Sequence, residues 1–355
     1  NQFPRARGRM KKYFVIVLVI SAIIAGGLLL LPDNPPAVQA QGSRARGPFV
    51  APPVVPVSFD GDVRRLPQPR LPAQRRELPR PRRAAIAQTI LPTVAAAARA
   101  GQRAPTKPQL ATPPLVSFKG LDFTNWGAGW PPDPVGDVGP NHYIQMVNIS
   151  LGIFSKSGAQ LAAFTLDDFF SGLAGPCGTG FNQGDPIVVY DPVSDRWIVS
   201  DFAWSNLDNG PYYECIAVSK TSDPIAGGWW RYAFQADANY LHDYPKLGVW
   251  ADGIYMSANM FDIFGGGFGA TEQGVKVWAF NRDELINGAP LNAIFFTLAP
   301  GNASLLPANL RGDAPPTGTP EFFASISQPN SLHLWKFHAD WVTPANSTFT
   351  SLPDL

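Results

Sequence analysis

The stretch GDPIVVYDPVSDRWIVSDF, residues 184–202, indicates the fold class most clearly. It opens with an Asp-Pro pair and continues into an apolar run rich in β-branched side chains. It then turns through DPVSD and returns as a second apolar run. Short β-branched or aromatic runs bounded by turn residues are typical of β-strands. The stretch therefore predicts two antiparallel strands joined by a tight turn.

The same order of features occurs four times along the chain. Each unit opens with an Asp next to or near a Pro and has room for three or four strands. The spacing is close to the period of a propeller blade, about 40–50 residues plus insertions. We therefore predict an all-β fold, a β-propeller with about four visible blades; extended sandwiches in tandem are the alternative. The predicted repeat units are 132–183, 184–242, 243–311 and 312–355.

The whole-chain charge of +1 conceals three regions of different composition. Residues 1–40 carry a net charge of +4, residues 41–115 carry +10 and residues 116–355 carry −13. Dense proline favours extended polyproline II over a packed core. We therefore expect a disordered Pro/Arg-rich stalk at 41–115 and the folded domain at 116–355. The aromatic content of 12% and the lack of a three-residue glycine period exclude a wholly disordered or collagen-like chain.

The N-terminus carries a targeting segment within residues 1–40. Residues 13–31 form an apolar run without a charge, and five basic residues precede it. About 20 apolar residues can cross a bilayer as a helix, whereas Val38-Gln39-Ala40 offers a signal-peptide cleavage site. A membrane anchor and a cleaved signal peptide both predict export, because the basic flank stays in the cytoplasm. We therefore expect a secreted or membrane-anchored protein of the cell surface.

The only two cysteines, Cys177 and Cys215, are expected to form a disulfide. Disulfides persist in the compartments to which exported proteins are sent. Neither a CxxC motif nor a nearby histidine cluster supports a redox or zinc site.

Four segments together resemble a family of exported bacterial β-propeller proteins of uncharacterised activity. They are PPDPVGDVGPNHYIQMVN, GDPIVVYDPVSDRWIVSDF, YYECIAVSKTSDPIAGGWWRYAF and DYPKLGVWADGIYMSANMF. The family is distantly similar to sialidase-like and kelch-like propellers, and the resemblance covers about residues 130–355. Its members continue beyond the equivalent of Leu355. The resemblance thus implies either a truncated reading or an unusually small four-bladed ring.

The acids that open the four units are candidate metal ligands. In a propeller these positions approach the central axis, where carboxylates from several blades can share a cation, and Ca²⁺ prefers oxygen ligands. The alternative is that each Asp caps its own turn through hydrogen bonds to the backbone. The candidate calcium ligands are Asp133, Asp185, Asp243 and Asp313.

Catalytic chemistry has weaker support. The candidates are Asp137, Asp243, Tyr244 and Lys246, on one propeller face. The chain lacks GxSxG, HExxH and P-loop motifs and the sialidase SxDxGxTW box. A glycosidase could still use any two of the twenty-three acids after residue 115. His142 and His242 each stand near a turn, where we expect surface hydrogen bonds.

Tryptophans near loops suggest a ligand surface. Exposed aromatic rings stack on sugar faces and also mark protein interfaces, whereas the alternative role is packing between blades. The candidates are Trp126, Trp130, Trp204 and Trp250, while Trp197, Trp278 and Trp335 lie in strand patterns and are expected in the core.

These features together favour a binding or adhesion module at the cell surface, built on a β-propeller, with a surface glycan or a protein as its ligand. The alternative is a carbohydrate-active hydrolase or lyase that uses carboxylates on one propeller face. Nucleic acid is disfavoured as a partner, because export removes it and no aromatic residues alternate with the arginines of the stalk.

Overall fold

The protein is seen in a computed structural model that describes residues 45–67, 113–122, 125–126, 131–267, 269–328 and 331–355. Within these residues the chain is mostly β, with eighteen strands in four antiparallel sheets. The first two strands, β1 (Arg46–Val54) and β2 (Val57–Phe59), precede a 3-10 helix at Val63–Arg65.

The remaining strands fall into four consecutive groups, each a meander of neighbouring strands. Sheet 1 holds β3–β6, which are Val135–Val138, His142–Val147, Ser150–Ser155 and Gln160–Thr165. Sheet 2 holds β7–β10, which are Asn182–Asp191, Arg196–Ala203, Tyr212–Ser219 and Trp229–Asp237. Sheet 3 holds β11–β14, which are Leu241–Val249, Gly253–Phe264, Gly269–Asn281 and Leu291–Leu298. Sheet 4 holds β15–β18, which are Leu306–Pro307, Glu321–Gln328, Ser331–His338 and Thr348–Ser351.

The four sheets follow one another in the order of the predicted repeat units, but β7 and β11 begin two residues before the predicted starts at 184 and 243. The fourth sheet begins at Leu306, earlier than the predicted start of its unit at residue 312. The opening acid that was assigned to this unit, Asp313, lies after β15 in an exposed bend. Its assignment as the equivalent of Asp133 and Asp185 is wrong.

In the described part of the chain, three short α-helices lie in the connections between strands. They are α1 (Leu166–Phe170), α2 (Gly175–Gly178) and α3 (Arg282–Asn287), and a second 3-10 helix spans Pro344–Asn346. The Asn281 side chain accepts a hydrogen bond from the Glu284 amide at the start of α3, and Gly288 ends this helix with a φ of 68°. These are the usual helix-capping residues, because Asn satisfies a free amide and glycine adopts positive φ without strain.

Residues 46–65 form a strap along the outer edges of the sheets. β1 pairs with β14 of sheet 3, and β2 pairs with β10 of sheet 2. The fully buried Val63 follows, and its amide donates to the Ile225 carbonyl at 2.9 Å. The prediction of a disordered stalk is therefore wrong for this part of residues 41–115. Both strands are edge strands, and proline is tolerated there because its missing N–H removes no central ladder bond.

Within residues 113–122, Phe118 and Leu121 contact the outer face of sheet 1. The Phe118 ring lies 5.9 Å from the Tyr143 ring and 5.3 Å from the Phe154 ring. The Leu121 amide donates to the Gln145 side chain at 2.7 Å. The Arg-rich residues 68–112 thus connect two segments that both pack on the sheets.

The described residues contain a small hydrophobic cluster around Phe202, Trp204 and Tyr212, and three larger layers between successive sheets. One lies between sheets 1 and 2, one between sheets 2 and 3, and one between sheets 3 and 4. Trp197, Trp278 and Trp335 are all buried, as predicted. The predicted disulfide is also confirmed, because Cys177 in α2 bonds to Cys215 in β9 within the first layer.

No helix among the described residues is long and apolar enough to cross a membrane. The apolar run at 13–31, with its predicted helix and cleavage site, lies outside the described residues.

Candidate functional site

The first strands of the four sheets lie side by side. β3 contacts β7, β7 contacts β11, and β11 contacts β15. After β15, the Arg311 guanidinium reaches the Asp137 carboxylate on β3 at 2.6 Å. The polar residues of these strands therefore share one region, which we call the first-strand site. It consists of Asp133, Asp137, Asp185, Tyr244 and Lys246.

A residue with positive φ stands at the start of each sheet. The φ angles are 39° at Asp133, 47° at Asp185, 57° at Tyr244 and 53° at Ser304. The first three each precede a proline. Asp adopts the left-handed region more readily than most residues, whereas a bulky residue there is an outlier. Tyr244, and not Asp243, is thus the residue of sheet 3 that corresponds to Asp133 and Asp185.

Side chains of one sheet bind the amide of this residue in the next sheet. The Asn148 Oδ1 of sheet 1 accepts from the Asp185 amide at 2.9 Å. The Asp185 Oδ2 accepts from the Tyr244 amide at 3.2 Å, and the Asn259 Oδ1 of sheet 3 accepts from the Ser304 amide at 2.7 Å. Buried polar groups need such partners. These hydrogen bonds therefore fix the sheets relative to one another.

Asp133 and Asp185 both take part in this network. The Asn148 Nδ2 donates to the Asp133 Oδ2 at 2.9 Å, and the Asp185 carboxylate accepts from the backbone as described above. Asp243 is half-buried in β11, opposite Asn259. No group of three His, Cys, Asp or Glu side chains in the described part of the chain could hold a metal ion. The calcium site predicted at the opening acids stays a prediction, without the misassigned Asp313.

Asp137, a candidate catalytic acid, links three sheets. Its Oδ1 accepts from the Val138 amide at 2.7 Å within sheet 1. Its Oδ2 accepts from the Tyr190 amide of sheet 2 at 2.7 Å and from the Arg311 guanidinium next to sheet 4. A carboxylate held in this way is suited to positioning strands, since both of its oxygens are already engaged.

Tyr244 and Lys246 form the most distinctive pair of the site. The Lys246 Nζ lies 3.5 Å from the centre of the Tyr244 ring and donates to the Pro245 carbonyl at 2.8 Å. An ammonium group over an aromatic ring is a cation–π contact. Both side chains are half-buried, so solvent reaches part of each.

The candidate ligand-binding tryptophans mostly pack inside the protein. Trp204 is buried and stacks on Phe202 with ring centres 4.7 Å apart, so its predicted ligand role is wrong. Trp250 is half-buried, and its Nε1 donates to the Thr319 carbonyl between sheets 3 and 4 at 2.9 Å. This contact matches the alternative role of packing between sheets. Trp126 is half-buried beside sheet 1, and Trp130 lies outside the described residues.

Several buried polar groups near Asp185 of the first-strand site were not predicted from the sequence. His242, expected at the surface, is fully buried, and its Nε2 lies 3.0 Å from the Glu214 Oε2. Asp201 is also fully buried. Burial raises the pKa of Asp201 well above its usual range, and the nearby carboxylates of Glu214, Asp167 and Asp185 raise it further.

Asn148 was not predicted as a site residue either, although its spacing from the start of the repeat unit recurs in a later unit. Asn148 lies fifteen residues after Asp133, and Asn259 lies fifteen residues after Tyr244. Asn148 directly follows β4 and its amide donates to the Pro132 carbonyl, whereas Asn259 lies within β12 opposite Asp243. Each of the two therefore lies across from the residue that precedes the one with positive φ. In sheet 2 the corresponding position is Phe202, and Asp185 supplies the acceptor instead.

Comparisons with known proteins give one distant likeness. No family model matches the chain, and no curated protein matches it. The GH43 endo-arabinanase from Bacillus licheniformis is similar in structure at 12% sequence identity, with a TM-score of 0.30. The similarity covers 62% of this chain and 92% of the arabinanase chain. A TM-score of this size does not establish a shared fold.

Proposed function

We propose that the protein is an exported, cell-surface glycan-binding module and that its ligand binds at the first-strand site. In this proposal the four sheets are the blades of a β-propeller around that site. The side-by-side first strands support the arrangement. The Cys177–Cys215 disulfide supports export, because disulfides persist outside the reducing cytoplasm.

The observation that carries the proposal is the conformation of Tyr244. A non-glycine residue in the left-handed region costs about 1–3 kcal/mol, and such residues cluster at ligand sites. Here the strained residue is an aromatic one with a lysine ammonium against its ring. An aromatic ring offers stacking to a sugar face, and the ammonium offers hydrogen bonds to its hydroxyl or carboxylate groups.

Binding is favoured over hydrolysis because the carboxylates of Asp137 and Asp185 already hold hydrogen bonds within the protein. Hydrolysis of a glycosidic bond needs two carboxyl groups available to substrate and water. Asp137 is bound to Arg311 and to two backbone amides, and Asp185 holds the Tyr244 amide. These bonds assign both acids to holding the sheets together.

The test is a glycan array probed with the purified protein and with Tyr244→Ala and Lys246→Ala. We expect the wild type to bind a subset of glycans and each variant to bind about tenfold more weakly, since a stacking or cation contact is worth about 1–2 kcal/mol. Lys156→Ala is the matched control, because the Lys156 Nζ also donates to a backbone carbonyl at 2.8 Å.

Two results would contradict the proposal. Unchanged glycan binding by Tyr244→Ala and Lys246→Ala would place the ligand elsewhere. Cleavage of an array glycan by the wild type, lost in Asp137→Ala, would identify the hydrolase or lyase instead.

A further inference from the structure

Three polar side chains at one end of sheet 4 are joined in a row by hydrogen bonds. The Ser351 Oγ on β18 lies 2.8 Å from the His333 Nε2 on β17. The other ring nitrogen, His333 Nδ1, is hydrogen-bonded to the Asp354 carboxylate, which follows β18. A hydroxyl, an imidazole and a carboxylate in this order have the connectivity of a Ser-His-Asp catalytic triad, which is recognised by geometry and not by a sequence motif.

The strand register brings these side chains together. Ser351 is paired with Trp335, and His333 lies two residues before Trp335 on the same face of the sheet. The centre of the His333 ring is 4.8 Å from that of Trp335, which in turn stacks on Phe349 at 5.1 Å. Trp335 and Phe349 are both buried. The imidazole is therefore held against a packed aromatic pair, as a preorganised general base requires.

The hydrogen bonds also determine where the protons lie. A carboxylate only accepts, so the His333 Nδ1 carries the ring proton and the Nε2 of the neutral ring is an acceptor. The Ser351 hydroxyl donates to this nitrogen at 2.8 Å, whereas the Leu352 carbonyl is a more distant acceptor at 3.4 Å. Ser351 is exposed, so a substrate can reach its Oγ. The serine is thus positioned to attack while His333 takes its proton.

The backbone of Ser351 offers a donor for a developing oxyanion. The Leu352 amide donates to the Leu334 carbonyl at 2.8 Å. Ser351 and Trp335 therefore form a non-hydrogen-bonded pair, in which the Ser351 N–H points away from β17. Since β18 is the edge strand of sheet 4, this N–H is directed to the open edge. The amide of the nucleophilic serine is one of the oxyanion donors in serine proteases.

We propose that Ser351, His333 and Asp354 form an esterase site, with Ser351 as nucleophile, His333 as general base and Asp354 as positioning residue. The Ser351 Oγ bonds to the ester carbonyl carbon, and its proton passes to the His333 Nε2. That proton then passes to the alcohol oxygen as the ester C–O bond breaks. Water releases the acyl group from the serine by the same route, so the products are an alcohol and a carboxylic acid.

The position of the site indicates the class of ester. Because Ser351 is exposed at a strand edge, the substrates that fit best are esters of short acyl groups, such as acetyl esters, which need no enclosing pocket. The proposal is independent of glycan binding at the first-strand site.

The expected activity is slow. One backbone donor for the oxyanion is identified in the described residues, and loss of a single donor costs about 10²–10³ in kcat in a serine protease. Asp354 is 39% exposed, so water screens its interaction with His333. A covalent label that accumulates on the serine is therefore a more sensitive measurement than turnover.

Labelling of the full chain, in mild detergent, with a fluorophosphonate tests the proposal. The serine oxygen displaces fluoride, and we expect peptide mapping to find the phosphonyl group on Ser351. Ser351→Ala should abolish the label, and His333→Gln should slow labelling at least about a hundredfold, since general-base catalysis contributes about 10²–10⁴. Thr350→Ala is the matched control, because Thr350 is exposed on the same strand with its side chain on the other face.

Hydrolysis of p-nitrophenyl acetate provides the second measurement. We expect Asp354→Asn to lower kcat at least about tenfold with little change in KM, because Asp354 acts through His333 and does not touch the substrate. Circular dichroism checks that every variant remains folded.

A wild type that is neither labelled nor active on the acetyl ester would overturn the proposal. The three side chains would then serve only to fasten the chain after β18 onto β17. Equal labelling of the wild type and Ser351→Ala, or full activity of Asp354→Asn, would overturn it as well.

Discussion

Replacement of Asn148 by alanine should destabilise the protein, because this side chain joins sheets 1 and 2. Asn148 is 1% exposed. It donates to the Pro131 carbonyl at 3.0 Å and to the Asp133 carboxylate, and it accepts from the Asp185 amide at 2.9 Å. Asn148→Ala removes all three hydrogen bonds and leaves the Asp185 amide without its acceptor.

The size of the effect follows from burial. A buried N–H that loses its partner costs about 1–3 kcal/mol, and each remaining bond contributes about 1 kcal/mol net. Solvent can reach the half-buried Asp133 and offset part of its loss. We therefore expect Asn148→Ala to lower the free energy of unfolding by about 2–4 kcal/mol.

Urea unfolding followed by tryptophan fluorescence measures this change. Asn148→Asp is an informative second variant, because it keeps an acceptor for the Asp185 amide but places a second carboxylate beside Asp133. Asn287→Ala is the control, since it removes one exposed hydrogen bond, from its Nδ2 to the Asp283 carbonyl. If Asn148→Ala and Asn287→Ala had the same unfolding midpoint, the inter-sheet role of Asn148 would be refuted.

Three further predictions concern other parts of the fold. Replacement of Cys177 and Cys215 together by alanine should lower the unfolding free energy by about 2–5 kcal/mol, and an unchanged urea midpoint would contradict this. Burial raises the pKa of Glu321 from 4.5 to about 9. Between pH 4.5 and pH 9 the carboxyl group therefore stays protonated in the folded protein but loses its proton in the unfolded chain. The free energy of unfolding consequently falls as pH rises through this range. Glu321→Gln should therefore exceed the wild type in thermal stability most at pH 8 and least near pH 5, and parallel pH profiles would show that the acid is not buried as described. Val63→Asp should release the strap and speed trypsin cleavage at the arginines of its 3-10 helix by about tenfold or more. Val55→Asp, at an exposed position, should leave the cleavage rate unchanged. Equal cleavage rates in the two variants would contradict the packing of the strap.

The repeating pattern of the sequence predicted most of the fold. The four units, their order and their strand content follow from local patterns, because each sheet is a meander of chain neighbours. The strap was missed for a physical reason. The proline content of residues 41–115 argues against a central strand but not against an edge strand, and only the tertiary partners β10 and β14 distinguish the two.

The candidate site was predicted in part. The Asp-Pro pattern located Asp133 and Asp185, and the departures from the repeat singled out Asp137, Tyr244 and Lys246. Partners distant in sequence were not predictable from one chain. Glu214 and His242 are 28 residues apart and meet only because β9 and β11 lie in adjacent sheets. Trp204 looked like a loop residue, but its neighbours Phe202 and Tyr212 bury it.

Hydrogen exchange with and without a bound glycan from the array shows whether the ligand binds at the first-strand site. We expect slower exchange on binding in residues 133–138 and 243–247, with little change in the strap or in β18. Protection confined to the strap or to β18, with residues 133–138 and 243–247 unchanged, would contradict binding at the first-strand site.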